Sequence, residues 1–111
     1  MEIDEIHYKV MRLVEANPQM SQRQVASELG VSVGKANYCL RALIRSGLVK
    51  VRNFKNSNNK AAYMYLVTPR GIREKSRLAV RFLGIKVREY ELLRAEIEQI
   101  RGEAEQDPGQ Q

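Results

Sequence analysis

Residues 21–47 constrain the fold most strongly, because two helical patterns meet there at a single glycine. Ser21 and Gln24 have the spacing of a capping box, which predicts that a helix begins at this point. Gly30 can adopt a positive φ where that helix must stop, and Ser32 can cap the helix that follows. Two short helices joined by so tight a turn are typical of a helix-turn-helix.

The second helix of this motif has one apolar face and one polar face. Its apolar residues recur at positions i, i+4, i+7 and i+8, which predicts a buried stripe made of Ala36, Leu40, Leu43 and Ile44. The opposite face is polar, basic and aromatic, and it carries Lys35, Asn37, Tyr38, Arg41 and Arg45. In the major groove of DNA, Arg and Lys side chains bond guanine and Asn bonds adenine, so this face has the chemistry of a recognition helix.

Charge is distributed unevenly along the 111 residues, whose net charge is +6. No acidic residue occurs between Glu28 and Glu74, although Lys and Arg are frequent there. Such a field attracts polyanions. Because the chain has no long apolar run and no basic amphipathic anchor, we expect double-stranded DNA rather than a membrane as its partner. A solvated basic face without a partner is the alternative.

A helix precedes this motif and a pair of strands follows it. Asp4 can cap the first helix, which should end at Asn17, before Pro18. After Gly47 the helical period changes to alternation, and residues 48–54 and 63–67 are predicted to form two antiparallel strands. The residues between the strands are basic and rich in amides, as in a wing whose tip reaches phosphate or the minor groove.

The candidate DNA-binding residues follow from these elements. Backbone N–H groups at the start of the first helix of the motif can donate to phosphate, and Arg23 adds charge beside them. The full set is Ser21, Gln22, Arg23, Ser32, Gly34, Lys35, Asn37, Tyr38, Arg41, Arg45, Lys55, Asn56, Ser57, Asn58, Asn59 and Lys60. Two such sets in a symmetric dimer would address half-sites about 34 to 36 Å apart in a roughly palindromic operator.

The C-terminal part predicts a long helix that pairs with a second copy. Thr68 can cap this helix with Pro69 in its first position, and Gly84 interrupts the pattern, so that a bend is expected there. Beyond it, apolar residues recur at the 3-4-3 spacing of a coiled coil. The predicted dimer interface consists of Leu83, Tyr90, Leu93, Ile97 and Ile100.

The charged residues that flank the apolar seam favour a parallel coiled coil, although the sequence does not decide between parallel and antiparallel pairing. In a parallel pair Glu89 would face Arg94 and Glu96 would face Arg101, whereas an antiparallel pair would set like charges together. A helix that folds back on its own domain is the alternative. The expected organisation is a DNA-binding domain at residues 1–83, a dimerisation helix at residues 84–104 and a disordered tail at residues 105–111.

The residue types that carry catalysis or bind metal are scarce. Cys39 and His7 are the only residues of their kinds, and no Ser/His/Asp set, metal-ligand cluster or glycine-rich phosphate loop occurs. We therefore expect neither an enzyme nor a cofactor, and a packing role for Cys39. A single cysteine, with no signal peptide and no membrane span, predicts a cytoplasmic protein.

Taken together, these motifs resemble the MarR-type winged-helix transcriptional regulators, and in particular their EPS-associated subgroup, which is linked to exopolysaccharide loci. The resemblance runs from about Tyr8 to Glu103 and is most specific in the segments LVKVRNFKNSNNK and YLVTPRGI. It implies a homodimeric, sequence-specific DNA-binding regulator with its recognition helix at residues 32–46 and its wing at residues 54–62. It also implies exopolysaccharide biosynthesis genes as targets. A winged helix that binds proteins without specific DNA binding is the alternative, and no small-molecule effector follows from the sequence.

Overall fold

The computed structural model describes residues 3–55 and 61–109, and it is mostly helical with one two-stranded sheet. The elements in chain order are α1 (Glu5–Ala16), α2 (Gln22–Leu29), α3 (Val33–Arg45), β1 (Val49–Lys55), β2 (Ala61–Val67) and α4 (Pro69–Glu105). The predicted fold class is thereby confirmed: a winged helix-turn-helix followed by a long C-terminal helix.

The predicted helix caps are present, and each consists of short-range hydrogen bonds. The carboxylate of Asp4 accepts from the backbone N–H of His7 at 3.2 Å, and the hydroxyl of Ser32 accepts from that of Lys35 at 3.0 Å. Between these two, Ser21 and Gln24 form the full capping box of α2. A cap satisfies backbone N–H groups that have no partner within their own helix, so these residues fix where each helix begins.

Two glycines with positive φ stop the helices of the motif. Gly30 ends α2 with φ of 67°, and Gly47 follows α3 with φ of 73°. A residue with a Cβ rarely adopts this conformation, so glycine allows the chain to turn at once into the next element. The turn at Gly47 brings β1 back along the end of the recognition helix.

The core lies where α1, α2, α3, the inner face of the hairpin and the first part of α4 meet. Its largest fully buried side chains include Met11 of α1, Leu40 and Leu43 of α3, Val49 of β1 and Leu78 of α4. Three residues of the predicted α3 stripe are buried, whereas Ile44 is only half-buried because it lies beside a surface groove under the hairpin.

The hairpin is antiparallel and packs its inner face against the helices. Val49 pairs with Val67 at one end and Lys55 with Ala61 at the other. The backbone N–H of Tyr65 donates to the carbonyl oxygen of Pro18 at 2.9 Å, which ties β2 to the turn after α1. The alternation predicted along β1 is confirmed only at its start. Val49 is buried, but Val51 on the same face is 40% exposed because it borders a groove, and Phe54 on the opposite face is half-buried.

A joint of close contacts fixes the start of α4 against the turn after α3. The Thr68 hydroxyl accepts from the Gly71 N–H at 3.0 Å and donates to the Gly47 carbonyl at 2.7 Å, while the Thr68 N–H donates to Leu48 at 3.0 Å. A Cβ built on Gly71 would lie 2.1 Å from the Leu48 carbonyl oxygen, so this approach requires glycine. Thr68 is therefore both the predicted cap of α4 and a bridge to α3.

Contacts divide the chain into two units, Met1–Ala79 and Val80–Gln111, somewhat before the boundary that Gly84 suggested. The second unit contains the rest of α4, which continues through Gly84 as one helix and includes Glu105. Large apolar side chains of this unit are exposed to solvent, including all five residues of the predicted dimer interface. Among the described residues, no helix combines the length and the hydropathy that a membrane span requires.

Candidate nucleic-acid interface

The polar face of α3 points directly away from the core. With about 3.6 residues per turn, Gly34, Tyr38, Arg41 and Arg45 fall on one line along the helix, opposite the buried Ala36 and Leu43. All four residues of this outward line are exposed, and Tyr38 keeps 63% of its surface in solvent. The exposed face of α3 is therefore aromatic and cationic.

A shallow groove of about 230 Å³ follows the outward line, lined by Gly34, Asn37, Tyr38, Arg41, Ala42 and Arg45. Lys35 stands beside it, with its ammonium nitrogen 5.8 Å from the centre of the Tyr38 ring. The Asn37 Oδ1 atom in the same region is buried and has no hydrogen-bond partner. A buried amide oxygen without a partner is costly, and it can accept from a donor outside the protein only after the Asn37 side chain turns toward the groove.

A second groove, of about 260 Å³, separates α3 from the hairpin and the start of α2. Asn37 and Arg41 border both grooves, and Val51 and Tyr63 of the hairpin close the far side of this one. Tyr63 is 61% exposed and Val51 is 40% exposed. The sequence interpretation did not include these two hairpin residues, although alternation from Tyr65 places Tyr63 on the same strand face.

The candidate residues at the start of α2 have different surroundings from those expected. The Gln22 amide nitrogen donates to the Tyr65 hydroxyl at 3.3 Å, and the Ser21 N–H donates to the Gln24 side chain at 2.8 Å. Both groups are thus occupied within the protein. The N–H groups of Gln22 and Arg23 remain in the first turn of α2, where no carbonyl of the helix reaches them.

Positive charge on this side of the molecule is not neutralised by ion pairs. The ion pairs found among the described residues join α1 to α4 or lie within one helix and its N-cap, for example Lys75 with Glu15 and Arg77 with Glu74. No ion pair within the described residues involves Arg23, Arg41, Arg45, Lys50, Arg52 or Lys55. The cations nearest the recognition helix are therefore free to bind an external anion.

The Cys39 side chain points into the core from α3 and is wholly buried. Burial raises the pKa of its thiol above the ordinary value, and this effect outweighs the opposing charge of Lys35. A buried, protonated thiol is unreactive, which agrees with the packing role expected for Cys39.

The predicted wing is described only in part. Lys55 ends β1 and is exposed, while Asn56, Ser57, Asn58, Asn59 and Lys60 lie outside the described residues. The structure therefore brings Gln22 of α2 together with Asn37 and Arg41 of α3 at the second groove, which neither Ser21 nor Arg23 lines, and it does not address the candidates of the wing tip. Within residues 3–55 and 61–109, no group of three or more His, Cys, Asp or Glu residues could hold a metal ion.

Comparison with known proteins identifies the same winged helix-turn-helix architecture. Residues 3–50 match the family of winged helix-turn-helix DNA-binding domains, and no curated protein matches the chain significantly in sequence. The fold is similar to that of the PcaV transcriptional regulator from Streptomyces coelicolor, crystallised with its natural ligand. That pair has a TM-score of 0.68 and 21% identity, over 95% of this chain and 77% of that one.

Two further structures show the same fold at low identity. A PadR-like transcriptional regulator from Bacillus cereus has a TM-score of 0.71 and 13% identity, over 79% of this chain and 90% of that one. Staphylococcus aureus MarR, in complex with salicylate and kanamycin, has a TM-score of 0.56 and 18% identity, over 93% of this chain and 72% of that one. The predicted resemblance is thus confirmed for the winged helix-turn-helix and for the fold of MarR-type regulators.

Proposed function

We propose that this winged helix-turn-helix protein is a sequence-specific DNA-binding transcriptional regulator that acts as a homodimer in the cytoplasm. The observation that carries the proposal is the outward line of α3, which presents Tyr38, Arg41 and Arg45 beside cations that no carboxylate neutralises. A solvated face needs no such concentration of unpaired cations, whereas phosphate and guanine edges fit it well.

Each part of this surface has its own role in the proposal. Arg41 borders both grooves and reads a guanine edge, and Asn37 beside it turns its amide outward and pairs with adenine. Tyr38 meets a sugar or a thymine methyl group. Arg23 and the free N–H groups at the start of α2 bind phosphate and fix the register of the helix.

The hairpin is proposed to extend the surface beyond α3. Lys55 leads from β1 toward the wing, and Tyr63 faces Arg41 across the second groove. Gln22 acts as a positioning residue, because its amide holds Tyr65 and thereby ties the hairpin to the start of α2. The start of α2 and the hairpin, which are the two regions proposed to reach phosphate, would then approach DNA as one rigid surface.

The second unit is proposed to form a parallel coiled coil through Leu83, Tyr90, Leu93, Ile97 and Ile100. These side chains are between 44% and 64% exposed, so a partner helix would remove a large apolar area from water. In the single chain, Glu89 lies 3.6 Å from Lys86 and Arg101 lies 3.8 Å from Glu98. These exposed pairs are weak enough for the groups to exchange them for partners on a second helix.

A salt titration tests DNA binding directly. The affinity for a duplex should fall with salt with a log-log slope of about −0.9 for each phosphate contact, so several contacts give a steep dependence. A flat, weak response would instead indicate a module that binds acidic proteins. Sedimentation equilibrium on the same sample should give the mass of a dimer.

Selection of bound fragments from the source genome tests the finer parts of the proposal. We expect a roughly palindromic site in front of the regulated genes, which the resemblance suggests are exopolysaccharide biosynthesis genes. Fragments without shared sequence or symmetry would contradict specific recognition by a dimer.

A further inference from the structure

Gly34 begins the outward line of α3, and nothing in the described protein requires a glycine there. A Cβ built on Gly34 would meet only the Ser32 hydroxyl, at 3.9 Å, which is ordinary van der Waals contact. Its φ is not positive, since only Gly30 and Gly47 have that conformation among the described glycines. Alanine would therefore fit this position without strain, in contrast to Gly71.

A glycine that the fold does not need weakens the helix that contains it. Glycine is a poorer helix former than alanine because the unfolded chain gains more backbone freedom. Such a residue on a protruding, cationic surface is explained by a partner that comes closer to the backbone than a Cβ would allow. Gly34 also lines the groove that contains Asn37, Tyr38 and Arg41, so the close approach coincides with the candidate reading residues.

The remaining residues of the outward line indicate how that partner is oriented. Tyr38, Arg41 and Arg45 have long side chains, whereas Gly34 has none, and it lies in the first turn of α3. A surface that touches all four residues must therefore be inclined to the helix. It lies nearer to the helix axis at Gly34 than at the three residues that follow on this line.

In helix-turn-helix proteins the N-terminal part of the recognition helix meets the base edges in the major groove. Building on the proposed DNA-binding function, we propose that duplex DNA contacts the α3 backbone itself at Gly34, more closely than a Cβ would allow. Asn37 and Tyr38, one turn further along, then reach base edges. Arg45, three turns from Gly34, stands at the edge of the groove and binds phosphate. Gly34 thus sets the depth of insertion and is a specificity-determining position without a side chain of its own.

Gly34→Ala separates this role from folding, because the two effects have opposite signs. The melting temperature should rise by about 2 to 6 °C, as expected when a helical glycine is replaced at a compatible position. Affinity for a fluorescein-labelled 30-base-pair duplex carrying the genome-selected site should fall at least about tenfold. The loss should be smaller on a duplex of random sequence, since nonspecific binding depends on phosphates rather than on groove insertion.

Gly102→Ala is the matched control. Its Cβ would also meet nothing within 4 Å, and it lies about two and a half turns after Leu93, on the opposite side of α4 from the proposed dimer interface. This variant should raise the melting temperature without changing DNA affinity. Arg45→Ala should weaken binding equally on both duplexes and make the salt slope shallower by about one contact.

Three outcomes would overturn the inference, and only one of them also removes the proposed function. Equal DNA affinity of Gly34→Ala and the parent protein would overturn the inference alone, as would a lower melting temperature, which would show that the fold itself requires Gly34. Failure of the parent protein to bind either duplex in dilute buffer would overturn the proposed function and the inference with it.

Discussion

Replacing Gly71 with alanine should destabilise the domain severely, because the new methyl group has no space. Its Cβ would lie 2.1 Å from the Leu48 carbonyl oxygen and 2.7 Å from a methyl group of Val67, and the backbone oxygen cannot rotate away. The joint would have to open. Overpacking of this kind typically costs about 1 to 3 kcal/mol. The two hydrogen bonds that cross from Thr68 to Gly47 and Leu48 contribute about 0.5 to 1.5 kcal/mol each.

The expected loss for Gly71→Ala is therefore about 2 to 6 kcal/mol of the free energy of unfolding, a large part of the roughly 5 to 15 kcal/mol of a typical domain. Urea unfolding followed by circular dichroism measures it. With a slope of roughly 1 to 2 kcal/mol per molar, the midpoint should fall by at least about 1 M at unchanged slope. Gly84→Ala is the control, since its Cβ meets nothing, and its midpoint should stay constant or rise. A Gly71→Ala midpoint equal to that of the parent would refute the account of the joint.

Three other perturbations test different parts of the molecule. Arg41→Ala should cost about 1 to 3 kcal/mol in operator binding and relax base preference at one position, measured by titrating single-base variants of the site; uniform weakening would reassign Arg41 to phosphate. Ile97→Glu should place a charge in the proposed apolar seam and yield a monomer in sedimentation, whereas an unchanged dimer would show that the interface lies elsewhere. Burial raises the pKa of Asp4, but hydrogen bonds from His7 lower it more, so the folded pKa lies below the ordinary value of 3.8. The ionised Asp4 carboxylate therefore stabilises the fold above pH 3.8, and this contribution is lost as the pH falls through the folded pKa. Asp4→Asn keeps a capping side chain but cannot ionise. Its free energy of unfolding should therefore fall less than that of the parent between about pH 5 and pH 2.5.

Features that depend on neighbouring residues were predictable from the sequence. The caps at Asp4, Ser21 and Ser32 use partners three residues away, and the turns at Gly30 and Gly47 need only a backbone free to adopt positive φ. Each of these is a local signal, so the bounds of the first three helices could be derived before any packing was considered.

Features that depend on distant residues could not be predicted in this way. The Gln22 amide finds the Tyr65 hydroxyl from 43 positions away, and nothing local to Gln22 indicates that it is already bonded. Likewise, Ile44 has the spacing of a core residue but lies at a groove, because the hairpin does not cover it fully. Periodicity predicts which face a side chain occupies, and the packing of other elements decides how much of it is covered.

The alkylation rate of Cys39 can report how often the recognition helix separates from the core. It is the only thiol in the chain and its side chain is wholly inaccessible to solvent, so an alkylating reagent can react only while α3 is transiently detached from the core. The rate of alkylation then measures the population of the open form. Any duplex or second subunit that binds only the closed form must slow that reaction by mass action, and unlabelled, unmodified protein suffices to detect it.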